Sequence, residues 1–240
     1  MKIGFIQTGA IGDILIALPA AKWYVDKGFQ VFWPIDSRYF NFFKKSAPYV
    51  DFISIPFDTN SYDWHLGLPL QIFQEHKISE YFILYSYLGS NGQKFEFGQP
   101  ENLPHSLKFD EYKYAITQVP FSEKWNLYLE RDMNSESYVL DQISSHIPYT
   151  VIHNSPAGNR KDLESHIDES DRKNRFINIT NLTPNPFDWI SAFENSQLLA
   201  FEDSLHANVV EQLNLSNKKY LFLRSSCNLT PVFKNSWIFK

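Results

Sequence analysis

The sequence predicts an α/β protein of two domains, each a parallel sheet flanked by helices. The first observation behind this is the opening run, Lys2–Pro19. It holds a mostly apolar strand pattern, a turn with Gly9 and Gly12, and then Ile14, Leu15 and Leu18 at helical spacing, continued by Trp23 and Val25. The second is that strand-like and helix-like patterns go on alternating along the chain, as parallel β-α-β units require. The third is a return of the opening theme at residues 149–161, where a short apolar strand runs into a small-residue turn.

Taken in order, Gln30–Pro34 reads as the second strand. Asp36–Ala47, with Tyr39, Phe42 and Phe43 one helical turn apart, reads as a helix ended by Pro48. Val50–Ile55 is the third strand, Leu70–Lys77 a helix and Tyr81–Tyr85 a buried strand. Leu88–Pro104 is rich in glycine, proline and polar residues and reads as a long loop. A helix over Asp110–Gln118, a strand over Trp125–Glu130 and a linking helix over Ser137–Ser145 complete the first half, which places the domain boundary near Pro148: 1–148 and 149–240. In the second half Tyr149–His153 is a strand, and the charged run Asp162–Lys173 is a solvated loop or surface helix. Arg175–Ile179 is a strand and Pro186–Asn195 a helix; Leu198–Phe201, a helix to about Leu213 and Lys219–Leu223 follow. Cys227–Lys240 has no clear pattern.

Composition narrows the classes. A chain of 240 residues with 43% hydrophobic and 20% charged content has the profile of a soluble globular protein with a sizeable core. The net charge of −5 argues against a broad electrostatic grip on nucleic acid. With Cys227 as the single cysteine, neither an intrachain disulfide nor a cysteine-based zinc site can form. The seven histidines lack ligand spacing, so no metal site is expected. No signal peptide is visible, and no run reaches the roughly 18–20 apolar residues that span a bilayer. A cytoplasmic setting is expected, with peripheral attachment at the inner membrane face left open.

Asp13 stands at the mouth of the first helix and has two readings. It can be a first-turn acid favoured by the helix dipole, or a carboxylate held over the crevice at the carboxyl end of a strand, free to take a proton. The turn is not a dinucleotide fingerprint, because Gly9-x-x-Gly12 lacks the first glycine of G-x-G-x-x-G. NAD binding is therefore disfavoured.

Three separated segments share a further likeness. The run I-x-F-I-x-T-G-A-I-G-D-I-L-I-A-L-P-A from Ile3 to Ala20, followed by Ala47–Asp51 within the region Val31–Ile55, resembles the amino-terminal half of the heptosyltransferase-like glycosyltransferases. Val151–Gly158 resembles the opening of that family's second domain, and Ile190–Ser196 through Glu202–His206 resembles its donor-binding strand-turn-helix. The resemblance implies a GT-B fold: two Rossmann-like, doubly wound domains facing a central cleft, here shortened at the carboxyl terminus. It implies an inverting, metal-independent transfer of a sugar from a nucleotide-sugar donor to a hydroxyl acceptor, with no cofactor required. Asp13 would be the general base. Gly12, Asn154, Ser155, Arg160, Lys161, Asp203, Ser204 and His206 would hold the donor and its phosphates. The match departs from the family at the last segment, where His206 follows Ser204 after one residue and the usual glycine is missing. The acceptor is left open among a surface glycan, lipopolysaccharide and hydroxymethylated phage DNA, the last not indicated by charge.

The competing reading is a catalytically silent nucleotide- or glycan-binding module on the same scaffold, which the altered turn at Asp203 favours. Hydrolysis by a Ser-His-Asp set is disfavoured, since no G-x-S-x-G elbow is present.

Overall fold

The computed structural model describes residues 1–58, 62–85, 106–143, 148–154, 162–223 and 230–240, with the backbone of 88–90 and 93–95. The chain divides into two compact units, Met1–Glu130 and Arg131–Lys240.

In the first unit β1 (Lys2–Ile6), β2 (Gln30–Asp36), β3 (Asp51–Ile55) and β4 (Tyr81–Ile83) form a sheet in the order β3-β2-β1-β4. Every pairing in it is parallel. Strand β1 is buried from Ile3 onward, as a strand covered on both faces must be. Phe5 lies against Tyr24, Trp33 and Phe82 with ring centroids 6.0, 5.3 and 5.7 Å away. Helices α1 (Ile11–Asp26), α2 (Ser37–Ser46) and α4 (Phe109–Thr117) pack on the sheet, and α3 (Leu68–Glu75) meets it through Phe73. Two prolines sit inside elements. Pro34 leaves a gap on the β1 side of β2, between Phe32, the last residue paired with β1, and Asp36, whose N–H donates to the Thr8 carbonyl at 2.8 Å, while pairing with β3 runs on unbroken to Asp36. Pro19 withholds an N–H from the middle of α1, and next to that gap the Tyr114 hydroxyl donates to the Ile16 carbonyl at 2.9 Å.

Two expectations for this unit need correction. Leu88–Pro104 is not loop throughout: β5 (Leu88–Ser90) and β6 (Gln93–Phe95) pair as an antiparallel hairpin, and 96–104 lie outside the described residues. Trp125–Glu130 is not a strand. Phe121–Trp125 is a 3-10 turn, and the residues beyond it alternate in burial, Leu127 and Leu129 inward, without joining a sheet. Their backbone is satisfied singly: Glu130 N–H donates to Ser46 and the Tyr128 carbonyl accepts from the Tyr49 hydroxyl.

The second unit holds β7 (Tyr149–His153), β8 (Arg175–Asn178), β9 (Leu198–Glu202), β10 (Lys218–Phe222) and β11 (Trp237–Phe239), in the order β11-β10-β9-β7-β8 and all parallel. Helices α5 (Met133–Ile143), α6 (Ile190–Asn195) and α7 (Leu205–Gln212) belong to it. The division after Glu130 assigns α5 to this unit, whereas the boundary near Pro148 put it in the first domain. The reason is a buried carboxylate. Glu136 of α5 is 1% exposed and accepts from the Ser191 N–H and hydroxyl and from the Arg131 guanidinium, which also pairs with Glu194.

The patternless carboxyl-terminal stretch contains β11. Glu211 of α7, fully buried, accepts from the Trp237 indole at 2.7 Å and the Lys234 N–H at 2.8 Å, which docks that strand. The charged run Asp162–Lys173 is likewise not simply solvated. Leu163 and Ile167 are buried in the core with Tyr220 and Phe222, and the Tyr220 hydroxyl is within 2.7 Å of Asp168 and 2.6 Å of Asp171. No helix among the described residues is long and apolar enough to cross a membrane.

Gly4 sits under α3 so closely that an added Cβ would stand 2.4 Å from the Phe73 ring. Gly4→Ala is therefore expected to cost about 1–3 kcal/mol in a denaturant melt. Adding Phe73→Leu should return part of the loss, and an unchanged midpoint in Gly4→Ala would contradict the packing.

Candidate functional site

In each sheet the strand order reverses at one place, between β1 and β4 in the first unit and between β7 and β9 in the second. At such points the connections depart to opposite sides and leave a crevice outside the carboxyl ends of the strands, where ligands bind.

The crevice of the first unit is built on the β1–α1 turn. The left-handed residue there is Ala10 (φ 59°, ψ 89°), not either glycine, a strained conformation worth roughly 1 kcal/mol for a residue with a Cβ. Gly9 is required for a different reason: a Cβ would lie 2.6 Å from the Trp64 ring. The turn is pinned from the β4 side by Tyr85, whose hydroxyl accepts from the N–H of Thr8 at 2.8 Å and of Gly9 at 3.4 Å. Its own proton then goes to Thr8 Oγ1 at 2.8 Å or His65 Nδ1 at 3.1 Å. Burial pushes the Tyr85 hydroxyl up to about 12 and moves His65 down against a smaller opposing pull from Asp58. His65 comes from a π-helical turn, Asp63–Gly67, ahead of α3.

Gly12 and Asp13 occupy the first turn of α1. Behind Asp13 stands a charged row. Lys113 of α4, 3% exposed, donates to Gln7 Oε1 at 2.6 Å and the Leu84 carbonyl at 3.1 Å, and its Nζ lies 4.0 Å from Asp13 Oδ2. Asp110, one helical turn back, pairs with Lys124 at 2.7 Å, both fully buried. Burial lowers the Lys113 pKa, while Asp13 and then Asp110 oppose that shift. Asp13, with its side chain 33% exposed, is the member of the row that faces solvent.

In the second unit the ends of β7 and β9 bring His153 and Asn154 beside Asp203 and Ser204. Ser204 is extended and caps α7, its Oγ accepting from the Ala207 N–H at 3.4 Å, and it lies 3.3 Å from His153 Nδ1. Asn208 donates to the Ser204 carbonyl at 2.8 Å. Asp203 is buried at the strand end, its N–H donating to Phe222. His206 points inward, 8% exposed, with its ring 4.5 Å from His153 and 5.9 Å from Phe193. Neither of its ring nitrogens has a hydrogen-bond partner among the described residues. Burial, with His153 alongside, pushes His206 down to about 3, and burial pushes His153 down to about 4. Both rings are neutral near pH 7.

Of the residues expected to hold a donor, Asn154, Asp203 and Ser204 thus share one crevice, His206 lies beneath it, and Ser155, Arg160 and Lys161 fall outside the described residues. Gly12 lies with Asp13 in the first unit. Sequence reasoning missed Gln7, Thr8, His65, Tyr85, Lys113 and His153. Lys113 left no signal in the sequence: its burial among Asp110, Tyr112, Tyr114 and Thr117 shows only in the fold. Among the described residues no cluster of three or more His, Cys, Asp or Glu could hold a metal ion.

No protein-family model matches the sequence, and no curated protein matches it. Solved structures do match in fold over the whole chain. The glycosyl transferase family 9 structure from Veillonella parvula is 12% identical with a TM-score of 0.60, and 86% of that chain is covered. Escherichia coli ADP-heptose LPS heptosyltransferase II is 12% identical with a TM-score of 0.61 and 90% covered. Escherichia coli heptosyltransferase WaaC with ADP is 10% identical with a TM-score of 0.50 and 92% covered. At such identities the likeness is one of fold: the parallel-sheet α/β scaffold of these glycosyltransferases.

The two buried histidines make stability depend on pH. Their folded pKa values, about 4 and about 3, lie below the ~6.5 of an unfolded histidine. The unfolded chain therefore binds more protons as pH falls through ~6.5, and stability drops by up to ~1.4 kcal/mol per pH unit for each ring until its folded pKa is reached. Denaturant melts between pH 7.5 and 4.5 should show this loss, and His206→Leu should reduce its slope. An equal slope in both proteins would contradict the buried neutral ring.

Proposed function

We propose that the chain is a glycosyltransferase that moves a sugar from a nucleotide-sugar donor to a hydroxyl of a surface glycan or lipopolysaccharide, with inversion and without a metal ion. The observation that carries this reading is Asp13 at the β1/β4 crevice, half-exposed and backed by a buried cation, in a chain with the fold of glycosyltransferase structures. A hydroxyl is a poor nucleophile, so a base within hydrogen-bond reach must take its proton as it attacks. Asp13 accepts that proton. The acceptor oxygen bonds to the anomeric carbon from the face opposite the nucleotide, the bond from that carbon to the phosphate oxygen breaks, and the electron pair leaves with the nucleoside diphosphate.

The second unit serves the donor. The N-terminus of α7, capped by Ser204, offers backbone N–H groups to phosphate. Arg160 and Lys161 supply positive charge for the leaving diphosphate. The ADP and ADP-heptose named with the neighbouring structures point to a nucleoside diphosphate sugar as the class of donor. One observation favours the silent-module alternative: the Ser204 hydroxyl is engaged with Ala207 and His153, and His206 is buried.

Thermal melts against a panel of nucleotide sugars and free nucleotides, with and without EDTA, test the reading. One nucleotide family should raise Tm in both conditions, increasingly with concentration. Asp13→Asn should keep that rise and lose turnover by about 10²–10⁴-fold. A rise without turnover in the native chain would favour a silent nucleotide-binding module, and no rise with any nucleotide would move the reading from the transferase to a silent glycan-binding module.

A further inference from the structure

We propose that Lys113 is a positioning residue for Asp13, holding its carboxylate ionised at the mouth of the β1/β4 crevice, while the buried Asp110–Lys124 pair steadies Lys113 from behind. In its catalytic sense this rests on the reading of Asp13 as the base.

The argument is one of charge and geometry. An ammonium has three protons to donate. Those of Lys113 that go to Gln7 Oε1 and the Leu84 carbonyl meet neutral acceptors. These orient the cation and leave its charge uncompensated in a site that is 3% exposed. Compensation comes from carboxylates on either side, Asp13 at 4.0 Å and Asp110 on the same helix, and Asp110 is already paired with Lys124. Lys124, Asp110, Lys113 and Asp13 thus alternate in sign from the core to the surface, two cations with two anions. Protonating Asp13 would remove one of the two carboxylates that face the buried Lys113 ammonium, so the row resists that protonation. Among the described residues, Tyr85 and, hydrogen-bonded to it, His65 also face the turn. Burial favours the neutral form of both. Lys113 acts on Asp13 from the core side.

A lysine that merely tied α4 to β1 and β4 would make the same two hydrogen bonds and leave the titration of Asp13 unchanged. The two roles separate by NMR titration of the full, unliganded chain. In Lys113→Met the Asp13 carboxyl midpoint should move to higher pH, and Lys113→Arg should hold it near the native value. Coupling is reciprocal, so in Asp13→Asn the Lys113 side-chain midpoint should move to lower pH. This second variant alters a partly exposed side chain and decides the matter even where Lys113→Met fails to fold. An unchanged midpoint in either folded variant overturns the proposal. In turnover, kcat/KM of Lys113→Met should fall roughly tenfold more at pH 5 than at pH 8, with donor KM unchanged; equal loss at both pH values overturns the catalytic role. Coupled midpoints in a chain without turnover would instead count against the transferase reading, so the two failures are distinct.

Discussion

The first unit depends on a buried ammonium that must find its partners. Lys113 reaches across the end of the sheet to Gln7 after β1 and Leu84 after β4, and both contacts join segments far apart in sequence. A lysine in such a place is tolerable only when the ammonium is hydrogen-bonded and its charge is answered. That demand ties the strands on either side of the switch point to one helix. It also orients the Gln7 amide, whose nitrogen then donates to the Gly9 carbonyl at 3.0 Å. The turn that carries Asp13 is held by this set and by the Tyr85 hydroxyl, not by glycine flexibility.

The two crevices are alike in topology and unlike in chemistry. The first carries a partly exposed carboxylate at its mouth and buried charge beneath. The second is lined by a capping serine, a strand-end aspartate and two neutral imidazoles, suited to recognition through dipoles. Its buried histidines add an edge-to-face pair to the core, and a buried ring without hydrogen bonds gives up solvation. The same turn is where the sequence departs from the pattern it otherwise resembles.

Much of the fold was legible because parallel strands buried on both faces leave continuous apolar runs, as at Val31–Ile35 and Leu198–Phe201. What was illegible had specific causes. Leu127 and Leu129 alternate like a strand because they line a core edge, but their carbonyls and amides are met one at a time. Trp237 and its neighbours were missed because three residues carry no period, and their anchor, Glu211, lies elsewhere in the chain. The division after Glu130 differs from the boundary near Pro148 because Glu136 looks like any exposed helical acid until Ser191 and Arg131 are seen around it. Asp13 could be found from its turn. Lys113, Tyr85 and His65 could not, because their roles exist only once distant segments meet.

That distance has a consequence for how the protein is made. The Gln7 amide and the Thr8 N–H wait for partners 106 and 77 residues downstream. On a ribosome adding about 5–20 residues per second, the turn stays without its mates for several seconds after it emerges. Strand β1 is meanwhile an apolar segment with an unpaired β4 edge. Closing loops of this length adds little extra entropy cost per added residue, so delay rather than thermodynamics is the exposure. The first unit can be completed only after α4 has left the exit tunnel.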